Sequence, residues 1–122
     1  MKKILIVEDD KFLSSAYRMK FKKTDFEVKV AMDGEEALRI LALFTPDLIL
    51  LDLVMPRKDG FALLEELRKN EKWAKIPVIV ATNLEQKEDL EKAKGLGVTD
   101  YVIKSNSSIA DIVAKINTVL EK

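Results

Sequence analysis

Five short apolar runs alternate along this chain with five amphipathic stretches, and the alternation leaves few folds open. The runs are Lys3–Val7, Glu27–Ala31, Asp47–Leu51, Ile76–Ala81 and Asp100–Ile103. The stretches are Asp10–Lys22, Glu35–Phe44, Phe61–Asn70, Gln86–Gly95 and Ile109–Leu120. Strands alternating with helices read as an α/β fold with a parallel sheet. The first, third and fourth runs are almost continuously apolar, as strands covered on both faces are. Glu27-Val28-Lys29-Val30 alternates instead, which predicts an edge strand with one wet side. Right-handed crossovers put helices on both faces. The expectation is a doubly wound, five-stranded parallel sheet in the order 2-1-3-4-5.

The helical stretches carry their own punctuation. Ile109, Ile112, Val113, Ile116, Val119 and Leu120 form one stripe at helical spacing. Ser108 with Asp111, and Asp33 with Glu36, have capping-box spacing. In the first helix, Leu13, Ala16, Tyr17 and Phe21 suffice for a core-facing stripe, and the surplus Phe12 and Met19 lie toward one edge, either partly buried against neighbours or part of a partner surface.

A chain of 122 residues fits one domain, taken as 1–122. Its 21 basic and 21 acidic residues balance, so nothing argues for direct nucleic-acid binding or for an anionic membrane. No apolar run reaches membrane-spanning length, and Met1-Lys2-Lys3 is followed by too few apolar residues for a signal peptide, so the expected compartment is the cytoplasm. There is no cysteine and no histidine. That excludes disulfides, thiol catalysis, imidazole bases and ordinary zinc sites. A metal would be held by oxygen, which favours magnesium, calcium or manganese.

Charged and hydroxyl groups close four of the runs. Glu8-Asp9-Asp10 follow the first, Asp52 the third, Thr82 the fourth and Lys104 the fifth. In parallel strands these groups emerge on one sheet edge, where open α/β sheets bind ligands. Glu8 and Asp9 are expected on one side of the crevice and Asp52 on the other. Three neighbouring carboxylates repel one another, and a divalent cation such as Mg²⁺ relieves that cost. Asp52 can then act as a nucleophile toward phosphorus, giving an acyl phosphate. The metal and Lys104 would neutralise the charge spread over the phosphoryl oxygens, and the Thr82 hydroxyl can donate to one of them.

With these pieces in order, the chain resembles the response-regulator receiver domains of two-component signalling. The matching segments are Ile4-Leu5-Ile6-Val7-Glu8-Asp9-Asp10, Asp47-Leu48-Ile49-Leu50-Leu51-Asp52-Leu53-Val54-Met55-Pro56, Asp59-Gly60, Pro77-Val78-Ile79-Val80-Ala81-Thr82 and Tyr101-Val102-Ile103-Lys104. The resemblance implies a CheY-like (flavodoxin-like) fold and a phosphorylation-activated switch that assists its own phosphotransfer and dephosphorylation without being an enzyme in the usual sense. Asp52 would be the phosphoacceptor, receiving its phosphoryl group from a sensor histidine kinase or a histidine phosphotransfer domain. Glu8 and Asp9 would hold Mg²⁺, Asp9 more directly, together with Asp52 and the backbone carbonyl of Val54. Thr82 and Tyr101 would turn inward together and pass the signal to a downstream protein target, and the first helix would dock the donor.

Three features depart from the family pattern. Ser105 stands after Lys104 where the family usually has proline, Asn83 follows Thr82 where a small residue is usual, and Ser105-Asn106-Ser107 is unusually polar. Without the proline, a trans Lys104–Ser105 bond is expected. Two other readings share parts of the pattern. A Mg²⁺-dependent aspartyl phosphohydrolase commonly carries a second acid two residues after its nucleophile, where this chain has Val54. A receiver-like interaction module that is never phosphorylated would not need Glu8, Asp9, Asp52, Thr82 and Lys104 together.

Overall fold

The structure, a computed structural model, describes residues 2–55 and 57–121. Pro56, part of the resemblance motif, lies outside the described residues. Five parallel strands form one sheet in the order β2-β1-β3-β4-β5, as the alternation predicts. They are β1 (Lys3–Val7), β2 (Glu27–Ala31), β3 (Leu48–Leu51), β4 (Val78–Thr82) and β5 (Asp100–Ile103). The helices are α1 (Lys11–Phe21), α2 (Gly34–Leu41), α3 (Gly60–Lys69), α4 (Lys87–Gly95) and α5 (Ile109–Leu120).

Strand alternation sorts the core into two layers. Leu5, Val7, Ile49, Leu51, Val78 and Val80 face the side covered by α2 and α3, where they meet Leu41, Leu63, Leu64 and Leu67. Ile4, Ile6, Leu48, Leu50, Ile79, Ala81 and Val102 face the other side and meet Tyr17 and Phe21 of α1 and Ile112, Val113 and Ile116 of α5. Burial on both faces explains why these strands read as unbroken apolar runs.

The boundaries shift where a proline or a cap intervenes. β4 begins at Val78 rather than Ile76, because Pro77 has no N–H and the Ile76 N–H closes a turn onto Trp73 O at 3.1 Å. The same strand runs one residue further, through Thr82. β3 starts at Leu48, with the Asp47 carboxylate accepting from the Lys3 N–H at 2.8 Å. α2 ends at Leu41 instead of Phe44, four residues before Thr45, whose place ahead of Pro46 resists helical geometry. The Ser108–Asp111 capping box forms with both bonds. At α2 only half of the expected box forms. Asp33 accepts from the Glu36 N–H at 2.9 Å, but the Glu36 carboxylate reaches past the cap to the Met32 N–H at 2.7 Å. On α1, Phe12 and Met19 are not partly buried but 90% and 68% exposed. Ser14 takes a buried place instead, its hydroxyl donating to Lys11 O. No described helix is long and apolar enough to cross a membrane.

Candidate functional site

Register brings the charged groups together. Val7 pairs with Leu51 at the end of the β1–β3 ladder, so Glu8 and Asp52 leave adjacent strands at the same height. Thr82 pairs with Ile103 at the end of the β4–β5 ladder, so Lys104 emerges beside Asn83. Glu8, Asp9, Asp52, Val54, Thr82 and Lys104 all line one cavity of about 480 Å³. Tyr101 is not among its lining residues.

Lys104 is the centre of the cluster. Its Nζ donates to Glu8 Oε1 at 2.5 Å and to Asp52 Oδ2 at 2.9 Å. Glu8 and Asp52 are 3% and 7% exposed, while Asp9 stands in solvent. The remaining carboxylate oxygens are partnered by backbone, Glu8 Oε2 by the Asp10 N–H at 3.1 Å and Asp52 Oδ1 by the Val54 N–H at 3.2 Å. Burial pushes the Glu8 carboxyl up to about 7, against the pull of Lys104 and with the push of the Asp52 charge. Burial alone would lower the Lys104 pKa, but its bonds to Glu8 and Asp52 reverse that and raise it. One oxygen from each of Glu8, Asp9 and Asp52 lies within 4.8 Å of the others. Such an all-oxygen, acid-rich donor set suits a hard divalent cation.

The β3–α3 loop is closely packed against this cluster. A Cβ on Gly60 would lie 2.5 Å from Asp52 O and from Leu53 Cα, so only glycine lets α3 start so near the acid. Arg57 holds a left-handed φ of 60°, its guanidinium paired with the buried Asp33 at 2.7 Å.

The opposite rim is looser. Thr82 is fully buried, and its hydroxyl accepts weakly from the Leu84 N–H at 3.4 Å. Tyr101 donates its hydroxyl to Leu84 O at 2.9 Å. The unusual residues Asn83 and Ser105 meet. The Ser105 N–H donates to Asn83 Oδ1 at 3.1 Å, and Lys104–Asn106 forms a single 3-10 turn. No described peptide bond is cis, which makes Lys104–Ser105 trans as expected. Sequence reasoning took these two departures separately and missed their pairing; a proline has no N–H to give. It also read Tyr17 as plain core, whereas its buried hydroxyl has no hydrogen-bond partner among the described residues.

Comparison with known proteins agrees with this geometry. Residues 4–117 match the family model described as the response regulator receiver domain. The chain is 32% identical over 122 residues to the DNA-binding dual master transcriptional regulator RpaA of Synechocystis, covering 100% of this chain and 50% of that protein. This chain therefore spans about half the length of that curated relative. Among solved structures it is similar to the Mn²⁺-bound form of response regulator Rcp1, with a TM-score of 0.82, 34% identity, and coverage of 88% of this chain and 84% of that one. It is also similar to a CheY-like receiver domain protein from Methanospirillum hungatei, with a TM-score of 0.90, 26% identity, and coverage of 99% and 94%.

Proposed function

This chain belongs to the response regulator receiver domain family, and from that premise we propose that residues 1–122 form one receiver unit in which Asp52 is the phosphoacceptor. The observation that carries the reading is the setting of Asp52. It is a nearly buried carboxylate on the floor of a cavity, with Lys104 on one oxygen and a backbone N–H on the other. An Asp52 oxygen attacks phosphorus, the bond from phosphorus to the donor's imidazole nitrogen breaks, and the electron pair leaves with that nitrogen. Lys104, already bonded to Asp52, would pair with a phosphoryl oxygen, and the Thr82 hydroxyl can donate to another.

Glu8, Asp9, Asp52 and the Val54 carbonyl are the groups that would hold Mg²⁺, and their oxygen chemistry fits it. When bound, the ion neutralises charge on the phosphoryl oxygens. The Mn²⁺-bound form of Rcp1, a structural relative, supports a divalent ion. The phosphodonor is a sensor histidine kinase or a histidine phosphotransfer domain, and exposed Phe12 and Met19 on α1 offer it an apolar foothold. The readout is a downstream protein target reached through Thr82 and Tyr101, with no direct contact to nucleic acid or membrane by this unit, and the cytoplasm is its working compartment.

Intact-mass analysis after incubation with acetyl phosphate and Mg²⁺ tests the assignment. Wild type should gain one phosphoryl group and Asp52→Asn none. A folded Asp52→Asn protein that labels fully would refute it.

A further inference from the structure

We infer that the Asn83–Ser105 hydrogen bond is a positioning contact that ties the turn carrying Lys104 to the strand end carrying Thr82. The inference rests on the proposed phosphoacceptor role of Asp52. The β4–β5 ladder stops at the pair Thr82 and Ile103. Beyond that pair the two strands part, and the next tie between them is the Ser105 N–H on Asn83 Oδ1 at 3.1 Å. The side chain of Asn83 thus extends the ladder by one rung.

The turn has little else to hold it. Lys104–Asn106 is one 3-10 turn with no side-chain cap, and its closing bond from the Ser107 N–H to Lys104 O is long at 3.4 Å. Lys104 must nevertheless present its Nζ to Glu8 and Asp52 at once. Asn83 and Lys104 also line both the acid-lined cavity and a neighbouring one beside Phe12 and Leu13, so the tied loops form the wall between them. With the rung in place, the amine and the hydroxyl expected to meet a transferred phosphoryl group are spaced by the backbone. Without it, the amine samples a wider range and reaches the productive position less often.

Asn83 and Ser105 are exposed loop residues, so changing them should leave folding intact. Asn83→Leu keeps the bulk but cannot accept a hydrogen bond. The measurements are the rate of Asp52 phosphorylation by acetyl phosphate, Mg²⁺ affinity by titration calorimetry, and the NMR signal of the Lys104 side chain. Asn83→Leu should slow phosphorylation by about fivefold, the population change that one net hydrogen bond supports. It should shift the Lys104 signal and leave Mg²⁺ affinity unchanged. In a Ser105→Pro background, where the N–H is gone, Asn83→Leu should have no further effect. Wild-type rate in Asn83→Leu overturns the contact, as does an equal effect of Asn83→Leu in both backgrounds. A parallel loss of Mg²⁺ affinity overturns it too, because the change would then be a general loosening of the site. If wild type takes up no phosphoryl group, the reading of Asp52 fails and this inference with it. If wild type is labelled and Asn83→Leu matches it, only the contact fails.

Discussion

Helices α3 and α4 precede and follow β4, yet they are held very differently. α3 is capped by the Asp59 side chain and buries Gly60, Leu63, Leu64 and Leu67. α4 has no side-chain cap and buries only Ala93. At its start α3 presses on the backbone of Asp52 so closely that a Cβ at Gly60 would not fit. α4 is secured mainly at its ends. Before it, the Tyr101 hydroxyl holds Leu84 O. After it, the Arg68 guanidinium holds Leu96 O at 2.8 Å and Gly97 O at 3.1 Å. A helix with little buried area and discrete end contacts can shift at low cost, whereas one that interlocks with the core cannot. The contrast puts the rigid half of the site on the β1–β3 side, with the acids, and the adjustable half on the β4–β5 side, with Thr82 and Tyr101.

Truncating one leucine in each helix is the strongest way to break this contrast. Leu67→Ala should cost about 2–5 kcal/mol, as buried leucine truncations do. Leu90→Ala, on the half-buried face of α4, should cost less than about 1 kcal/mol. Urea unfolding measures both, and equal losses would mean that α4 is as firmly built in as α3.

Metal comes next. Mg²⁺ bound only by the folded protein should stabilise it by about 2.7 kcal/mol at a hundredfold excess over the dissociation constant. Asp9→Asn should remove most of the corresponding rise in melting temperature. The gain should appear as slower hydrogen exchange at residues 53–55 and 57–59, ahead of α3, with α4 unchanged. Tight Mg²⁺ binding by Asp9→Asn would reject the ligand assignment.

The smallest effect concerns the tether before α4. Tyr101→Phe should cost about 0.5–1.5 kcal/mol at neutral pH, the net worth of its bond to Leu84 O. Burial raises the Tyr101 pKa above 10.0, and the Asp89 and Asp52 charges add to it. The folded state therefore favours the neutral phenol. That contribution is fully present below pH 10 and is lost as pH rises through the folded-state value. The gap between wild type and Tyr101→Phe should narrow there, and a gap that stays constant to high pH would show that the phenol is not held in this way.

The sequence was most legible where one period governs. β1, β2, β5 and α5 lie where the periodicity places them, and the site groups meet because strand ends in a parallel sheet must share an edge. Errors fall where a local group overrides the pattern: Pro77 at the start of β4, Pro46 after α2, and Glu36 reaching Met32 instead of the cap. The Asn83–Ser105 rung joins two loops 22 residues apart, and no spacing rule announces it. The surplus of Phe12 and Met19 over the core stripe was legible, but the choice between partial burial and exposure was not, because apolar residues at a helix edge carry no mark of which way the edge faces.

Hydrogen exchange of the same chain before and after acetyl phosphate treatment in Mg²⁺ tests the central claim most directly. The account predicts one phosphoryl group on Asp52, changed exchange from Asn83 through α4 and in the turn after β5, and unchanged exchange over Leu63–Lys69 of α3. A phosphorylated protein whose α3 changes as much as its α4, or whose α4 does not change at all, would contradict it.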